Sequence, residues 1–493
     1  MSTALPSIGA RSVCAAAVVM VSTLSLVIAC KTPPAHKARL DPVKVRVAPL
    51  VAVKTLDPLL EDVEKRTFNF FWETAEPGTG LVPDRWPKPP FSSIAAVGFA
   101  LNAYCIGAER GYVTRAQART RTLTTLKFLR DAQQGTSPDS ASGYQGFFYH
   151  FVNFGSGKRY GDSELSTVDT ALLMGGVLFA GGYFDQDEPD EVQIREIADA
   201  LYRRVNWPWA IAVNPDIRMA WSPELEFGGH DWRGYNEAML VFILALGSPT
   251  YPAAQRTWDA WTSDYYRAWG TLEGQTHLTF GPMFGHQFTH IWVDMRGIKD
   301  EFMWPQGFDY FENSRRAVLA QRAYAIRNPM DWKAYGPNIW GLSASDGPGN
   351  FELPYMGQKR KFFAYAARGV GLYETHDDGT VAPYAALGSL PFAPEVVLPT
   401  AQEMHKRFGR YIYGKYGFVD AFNPSFDYDL PTRHGRHVRG VGWVDTEYLG
   451  IDQGPIISMI ENYRSELIWT VMKKNSYVRA GLKRAGFEGG WLE

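Results

Sequence analysis

Apolar segments and charged segments alternate along the chain from about residue 57. The apolar segments carry few charges on any face: 92–107, 166–184 and 235–247. The segments between them place Arg, Lys, Asp and Glu on one face: 115–132, 190–205 and 252–269. A helix that is apolar all round must be covered by other helices, so the charged helices are expected to surround the apolar ones. The pattern predicts an all-α fold, an α/α toroid of alternating inner and outer helices.

Loop length predicts which end of this toroid carries the function. The loops that enter apolar helices are long and rich in aromatic residues, Gly, Arg and His, as in 143–165 and 427–450, whereas the loops that leave them are short. Inner helices that alternate with antiparallel outer helices all begin at the same rim. We therefore expect the functional site at that rim, with short β-ribbons within 142–155 and 271–282.

Acidic residues stand at the start of three apolar helices. Asp169 and Glu237 begin two of the segments above, and Asp452 begins the last apolar helix. If these helices run parallel, the three carboxyl groups surround one cavity. Apolar walls raise the pKa of a carboxyl group, so Glu237 is expected to hold a proton near neutral pH and to act as the general acid of a glycosidase. Compensation of the helix dipole is the structural alternative.

Further acidic residues extend this candidate site. Asp162 and Glu164 form a cluster with Asp169 that would bind sugar hydroxyls or position water, or would only cap a helix. Asp420 and Asp452 are the candidates for the base that activates water. The separation of the two catalytic carboxyl groups distinguishes inversion from retention, and a sequence does not give that distance.

His286, His290 and Asp294 are spaced four residues apart, which predicts one face of a helix. Contact with substrate, a zinc site and buried structural histidines are the alternatives, but the segment lacks the Glu of the HExxH motif. No metal and no cofactor are expected. Other side chains are candidates for stacking on sugar rings or bonding their hydroxyls: Trp86, Trp232, Arg233, Tyr235 and Trp304.

The N-terminal segment predicts export. An apolar run from Cys14 to Ala29 follows Arg11 and ends in Val-Ile-Ala-Cys30, which resembles a lipoprotein cleavage site. We predict a lipoprotein signal peptide at 1–30 with Cys30 lipidated, a tether at 31–55 and a catalytic domain at 56–493. The predicted location is the periplasmic or outer-membrane face, with membrane attachment through the lipid. An ordinary secretory signal peptide is the alternative.

The amino-acid composition limits the classes of ligand that this protein is expected to bind. The chain has 50 basic and 52 acidic residues, a balance that argues against nucleic acid as a ligand. Aromatic residues make up 14% of the chain and include 16 Trp, which suits sugar stacking as well as core packing. A carbohydrate is the expected partner, and a monomer is the expected state.

Several motifs resemble a known family, the bacterial glucoamylase-like domain, and more specifically the β-1,2-glucanases of glycoside hydrolase family 144. The similarity covers roughly residues 60–475 and is carried by segments such as ELSTVDTALL, GYNEAMLVFILALGSPTYP, FGHQFTHIWVDMRG, WGLSASDGP, YGFVDAFNP and GIDQGPIISMIENYR. The resemblance implies an (α/α)6 barrel with long rim loops, exported and often lipid-anchored, that hydrolyses β-1,2-glucan with inversion.

The resemblance also implies residue roles. The acidic pocket of the family falls on Glu164, Asp169 and Glu237, with Glu237 as general acid, Asp420 as base and Asp452 in reserve. A related transglycosylating domain shares many of these motifs and retains configuration, so a retaining transglycosylase is one alternative. The others are a non-catalytic glycan-binding lipoprotein and a polysaccharide lyase. Attack within the glucan chain and attack from its end are both left open.

Overall fold

The structure is a computed structural model that describes residues 53–493. The predicted signal peptide with Cys30, and the predicted tether as far as residue 52, lie outside the described residues. Export and lipid anchoring therefore stay predictions. Among residues 53–493, no helix combines the length and the apolar character that a bilayer crossing requires.

The described chain is mostly helical. Its helices are α1 (Pro58–Thr74), α2 (Ile94–Glu109), α3 (Arg115–Asp131), α4 (Thr167–Tyr183), α5 (Pro189–Arg203), α6 (Met239–Gly247), α7 (Gln255–Thr262), α8 (Tyr265–Ala268), α9 (Phe288–Trp292), α10 (Tyr310–Arg327), α11 (Pro383–Leu387), α12 (Pro394–Ile412), α13 (Gly450–Ser465), α14 (Leu467–Met472) and α15 (Ser476–Arg484). Short 3-10 turns are Trp207–Ala210, Met283–His286 and Gly490–Leu492.

Short strands occupy the long loops between the helices. They are β1 (Arg85–Trp86), β2 (Ser92–Ser93), β3 (Gly143–Tyr144), β4 (Phe147–Phe148), β5 (Phe151–Val152), β6 (Leu165–Ser166), β7 (Ala220–Ser222), β8 (Glu226–Phe227), β9 (Trp269–Leu272), β10 (Gln275–Leu278), β11 (Ala344–Ser345), β12 (Phe351–Tyr355), β13 (Gln358–Phe362), β14 (Ala366–Ala367), β15 (Gly369–Val370), β16 (Thr375–His376), β17 (Tyr413–Gly414), β18 (Gly417–Phe418), β19 (Phe422–Asn423), β20 (Arg436–Val438), β21 (Gly442–Val444) and β22 (Tyr448–Leu449). Antiparallel pairs β3–β4 and β9–β10 confirm the ribbons predicted within 142–155 and 271–282.

The helices divide into buried and amphipathic types, as the sequence pattern predicts. All nine residues of α6 are buried, and α2 and α4 are buried along most of their length. In contrast, α3 buries one face only. The buried helices are neighbours, because α2 packs against α4 and α13, and α4 packs against α6. The segment 252–269, predicted as one outer helix, is instead two short helices, α7 and α8.

Glycine allows α2 and α4 to approach closely. A Cβ atom on Gly98 would lie 2.5 Å from the carbonyl oxygen of Leu172, and one on Gly176 would lie 2.0 Å from the carbonyl oxygen of Gly98. Any larger residue at either position would force the backbones apart. This contact fixes the two helices side by side, and hence the relative positions of their N-terminal ends.

Short strand pairs hold the starts of three buried helices. Strand β2 pairs with β5 and leads into α2, β6 pairs with β7 and leads into α4, and β22 pairs with β1 and leads into α13. Each pair ties the entry of a helix to a distant loop. The loops thereby bring side chains to the helix N-termini that are far away in the sequence.

Candidate active site

A cavity of about 520 Å³ lies where α4, α6 and α13 begin. Asp169, Glu237 and Asp452 all line it, so the three acidic residues at the starts of apolar helices do meet around one space. The remaining wall includes six Phe and Tyr residues: Phe91, Phe151, Phe284, Phe288, Tyr365 and Tyr384. Carboxyl groups among flat apolar rings can both bond the hydroxyls of a sugar and pack against its apolar faces.

Glu237 lies in the turn immediately before α6, and Asn236 caps this turn by accepting a hydrogen bond from the Ala238 backbone nitrogen at 3.0 Å. The Oε2 atom of Glu237 is buried and receives no hydrogen bond from residues 53–493. Burial, reinforced by the nearby negative charge of Asp169, raises the pKa of Glu237 to about 7. A carboxyl group with that pKa can carry a proton at neutral pH and can give it up.

His150 links two of the predicted acids. Its Nδ1 atom lies 2.8 Å from Glu164 Oε1, and its Nε2 atom lies 3.6 Å from Asp169 Oδ1. Burial alone would lower the pKa of His150, but Asp169 and Glu164 outweigh that effect and raise it to about 9. The ring is therefore a cation at neutral pH, and it keeps a positive charge beside the Asp169 carboxylate.

Asp452 lies in the first turn of α13, and both of its carboxyl oxygens are buried beside the carboxyl group of Asp420, which favours the ionised form of Asp452. Burial raises its pKa well above the usual value. Asp420 contacts it from behind but does not line the cavity. Burial and the negative charge of Asp452 raise the pKa of Asp420 as well, and Asp420 Oδ2 accepts a hydrogen bond from the Asp346 backbone nitrogen at 2.7 Å. The two carboxyl groups form a buried pair of which only Asp452 faces the cavity.

Arg85 provides positive charge at the cavity wall. Its Nη1 atom lies 2.8 Å from Asp346 Oδ2 and 2.6 Å from Glu447 Oε2, and its Nε atom lies 3.4 Å from Asp84 Oδ2. The pairing of β1 with β22 places Arg85 opposite Leu449, directly before α13. The guanidinium offsets part of the negative charge that surrounds Asp452.

Within residues 53–493, two groups of side chains have the spacing of metal ligands. In the first, carboxylate oxygens of Asp346, Asp420 and Asp445 all lie within 4.8 Å of one another. The second group is Asp346, His434 and Glu447. Arg85 pairs with Asp346, which belongs to both groups, and with Glu447 of the second. Asp420 and Asp445 of the first group are buried and form no salt bridge within residues 53–493, and burial together with neighbouring carboxyl groups raises the pKa of both.

Comparison with known proteins identifies the family. A family model described as "Putative glucoamylase" matches residues 229–476. A crystal structure of a protein with the same description, from Bacteroides uniformis, is 33% identical and covers 89% of this chain and 100% of its own, with a TM-score of 0.77. The chain belongs to this glucoamylase family. This membership confirms the family resemblance that the motifs indicate.

Two other similar proteins have more specific names. An endo-β-1,2-glucanase from Chitinophaga pinensis is 28% identical, covers 89% of this chain and 100% of its own, and has a TM-score of 0.75. An exo β-1,2-glucooligosaccharide sophorohydrolase from Parabacteroides distasonis is 28% identical over 462 residues and covers 87% of this chain. This glucoamylase-family chain spans only 58% of the length of the Parabacteroides protein.

The histidine segment lies in the core of the glucoamylase-family fold rather than on the cavity wall. The sequence pattern predicts a single helix that contains all three residues, but the helix α9 is shorter. His286 lies before its start, and Asp294 lies after its end. His286 contacts the Tyr235 hydroxyl at 3.2 Å, and His290 contacts Ser314 Oγ at 3.1 Å. Asp294 accepts hydrogen bonds from Arg296. These three side chains already have partners within the protein, so we do not propose them as substrate contacts.

The other predicted contacts are dispersed. Trp232 is buried and donates its indole hydrogen bond to Thr167 Oγ1 at 2.9 Å, and Asp162 is exposed outside the cavity. Trp86 lies in β1 and Trp304 on the surface, and neither lines this cavity. The last two predicted contacts line a second, neighbouring cavity: Arg233 and Tyr235.

The side chains of the cavity wall that sequence reasoning missed include the charged residues Asp84, Arg85 and His150, together with Tyr365. They come from loops and short strands, where no helical periodicity marks them. One indication was present, because the motif FFYHF places a polar His150 within an otherwise aromatic ribbon that leads toward Glu164.

Proposed function

We propose that this protein is a glycoside hydrolase that cleaves β-1,2-linked glucan. The observation that carries the proposal is Glu237, a carboxyl group with a pKa of about 7 that shares an aromatic-lined cavity with Asp452. The substrate class is supported by the names of the Chitinophaga and Parabacteroides proteins. The similarity to each of them extends over at least 87% of the length of this chain.

Two of the cavity carboxyl groups, Glu237 and Asp452, take part in the proposed reaction. Glu237 donates its proton to the glycosidic oxygen, so that the bond from this oxygen to the anomeric carbon breaks and the leaving sugar departs as a neutral alcohol. A water molecule forms the new bond to the anomeric carbon, and Asp452 in its ionised form takes the proton of this water. The proton of the buried pair then resides on Asp420, whose pKa is raised by burial and by the charge of Asp452. We assign the base to Asp452 because it lines the cavity, whereas Asp420 does not. Reaction in one step inverts the anomeric configuration.

Asp169, Glu164 and His150 would position the substrate. Asp169 and His150 line the cavity and offer an acceptor and a cationic donor to the hydroxyls of a glucosyl ring, while Glu164, which does not line it, holds His150 in place. The charge of Asp169 also favours the protonated form of Glu237.

An (α/α)6 toroid is part of this proposal. It is supported by the burial of α2, α4 and α6, by the packing of α2 on α4 and α13, and by the one-sided burial of α3. The N-terminal ends of α4, α6 and α13 lie at one cavity, as expected if these inner helices run in the same direction.

The proposal is tested with a panel of glucan substrates. An α-glucan is included because the family description names a glucoamylase, an enzyme that acts on α-glucans. Purified protein is incubated with linear β-1,2-, β-1,3-, β-1,4- and α-1,4-glucans, new reducing ends are followed, and proton NMR records the first anomer released. We expect activity on the β-1,2-glucan with α-anomeric product. Cleavage of the α-1,4-glucan but not the β-1,2-glucan would contradict the proposal, and β-anomeric product would contradict the inverting mechanism.

A further inference from the structure

Arg368 is completely buried although it carries a charge. It lies between β14 and β15, lines neither the active-site cavity nor the neighbouring one, and has no role in the mechanism above. Its Nε and Nη2 atoms lie 2.7 and 2.9 Å from the two carboxyl oxygens of Asp378, which is also buried. Burial of an ion pair costs free energy of desolvation, which good geometry and further hydrogen bonds must offset. The other partners of Arg368 therefore indicate what this pair holds in place.

The remaining donors of Arg368 connect two segments beside the active-site cavity. Nη1 donates to the carbonyl oxygens of Ser345 at 2.8 Å and of Asp346 at 3.3 Å. Nη2 donates to the carbonyl oxygen of Ala364 at 3.1 Å. The next residue, Tyr365, lines the cavity. One guanidinium group thus fixes the backbone of both segments.

Gly347 leaves room for this guanidinium group. A Cβ atom at position 347 would lie 2.2 Å from Arg368 Nη2 and 2.4 Å from the carbonyl oxygen of Phe363. The Phe363 backbone is itself held, because its nitrogen donates to Asp378 Oδ2 at 2.9 Å. A side chain at position 347 would therefore displace the guanidinium group from the turn that it binds.

The peptide group between Ser345 and Asp346 connects Arg368 to the buried carboxyl pair. Its carbonyl oxygen, on Ser345, accepts the 2.8 Å hydrogen bond from Arg368. Its N–H group, on Asp346, donates to Asp420 Oδ2 at 2.7 Å. A cation at the oxygen of a peptide group polarises that group and strengthens the hydrogen bond that its nitrogen donates. Because Asp420 Oδ2 is occupied, the buried Oδ1 atom is the one left to carry the proton shared with Asp452.

We propose that Arg368 is a positioning residue for the general base. Through the peptide group between Ser345 and Asp346 it orients Asp420. Asp420 then holds the shared proton on Oδ1 and leaves Asp452 ionised toward the cavity. This inference rests on the proposed function, and it adds a residue that acts on the reaction without touching the substrate.

The test asks whether the effect of Arg368 passes through Asp420. The variant Arg368→Met/Asp378→Asn removes both charges, so that no buried charge is left unpaired. On β-1,2-glucan its kcat is expected to fall about 10- to 100-fold, as for a misplaced catalytic group, and its KM to change less than about threefold. In an Asp420→Ala background the same two substitutions should change kcat less than about twofold. Equal effects in both backgrounds, or no effect on kcat in either, would overturn the proposal.

The matched control is Arg115→Met/Glu191→Gln. Arg115 Nε and Nη2 lie 2.8 and 2.9 Å from the two carboxyl oxygens of the buried Glu191, and neither residue lines the active-site cavity. This control should lower the melting temperature and leave kcat within about twofold. If the Arg368→Met/Asp378→Asn protein does not fold, Gly347→Ala replaces it, because the added Cβ displaces the guanidinium group while every charge stays. The same two backgrounds then decide the outcome.

An infrared measurement separates this inference from the proposed function. The difference spectrum between a protein and its Asp420→Asn form, recorded without glucan, contains the C=O stretch of the protonated Asp420 carboxyl group. Its frequency rises when the hydrogen bond from the Asp346 nitrogen weakens. We expect a higher frequency in the Arg368→Met/Asp378→Asn protein and no change in the control. If the wild type hydrolyses no glucan, the proposed function fails, while this shift still supports the inference. A band that does not move contradicts the inference, whether or not the protein hydrolyses glucan.

Discussion

The helix α13 carries a buried carboxyl group near each end, and the two groups have different surroundings. Asp452 in the first turn lines the cavity, and no basic side chain of residues 53–493 forms a salt bridge with it. Glu461 follows nine residues later, about 14 Å along the helix. Its Oε1 atom lies 3.2 Å from Arg110, and its neighbour Glu64 lies 2.6 Å from Arg464.

This difference shows that a raised pKa alone does not identify a catalytic carboxyl group. Burial raises the pKa of Asp452 and of Glu461 alike. Glu461 lies within a packed cluster with Glu64, Arg110 and Arg464, and it does not line the cavity. Asp452 has only another carboxyl group, Asp420, as its neighbour, and it lines a space that a substrate can enter. A buried carboxyl group without a basic partner at an open cavity is therefore the better indication of function.

Of substitutions at the two ends of α13, Asp452→Asn is expected to lower the rate of hydrolysis the most. The amide cannot accept a proton from water, so kcat on β-1,2-glucan should fall about 100- to 10,000-fold, the usual contribution of a general base. Because Asn has nearly the same shape, the melting temperature should change little. Asp420→Asn is the matched variant and should lose less. A nearly wild-type rate for Asp452→Asn together with a large loss for Asp420→Asn would move the role of base to Asp420.

A smaller effect is expected from Glu461→Gln, and on stability rather than activity. Burial and the negative charge of Glu64 raise the pKa of Glu461 from 4.5 to about 8. The folded protein therefore keeps a proton that the unfolded chain loses. This contribution to stability is complete below the unfolded pKa near 4.5 and is lost as the pH rises through about 8. Gln resembles the protonated form and does not titrate.

The measurement is the melting temperature of both proteins between about pH 5 and pH 9. The wild type should lose about 2–4 °C more than Glu461→Gln over this range, and kcat should agree within about twofold. If the variant lost activity as strongly as Asp452→Asn, the two ends of α13 would not differ in function as proposed.

The buried helices and the acids at their starts could be predicted from the sequence, because both depend on local patterns. An apolar run such as MLVFILALG, which forms α6, indicates burial by itself. Asp169 lies in the first turn of α4 and Asp452 in that of α13, as predicted, whereas Glu237 lies just before α6. Their meeting at one cavity follows if the helices start at the same rim.

The rest of the site depends on strand pairing, which the sequence does not reveal. His150 reaches the cavity from the loop beside β5, and Arg85 from β1, through antiparallel pairs with distant segments. The prediction for His286, His290 and Asp294 assumed a continuous helix, but α9 ends at Trp292 after five residues. The residues therefore do not share one helical face, and each contacts a different partner.

The most direct test of the account compares the wild type with Glu237→Gln on two substrates that differ in their leaving group. Hydrolysis of β-1,2-glucan needs a proton on the leaving oxygen, so the variant should lose about 100- to 10,000-fold. A 2,4-dinitrophenyl β-sophoroside releases a stable phenolate that needs no proton, so the same variant should stay within about tenfold of the wild type. An equal loss on both substrates would contradict the assignment of Glu237 as the general acid.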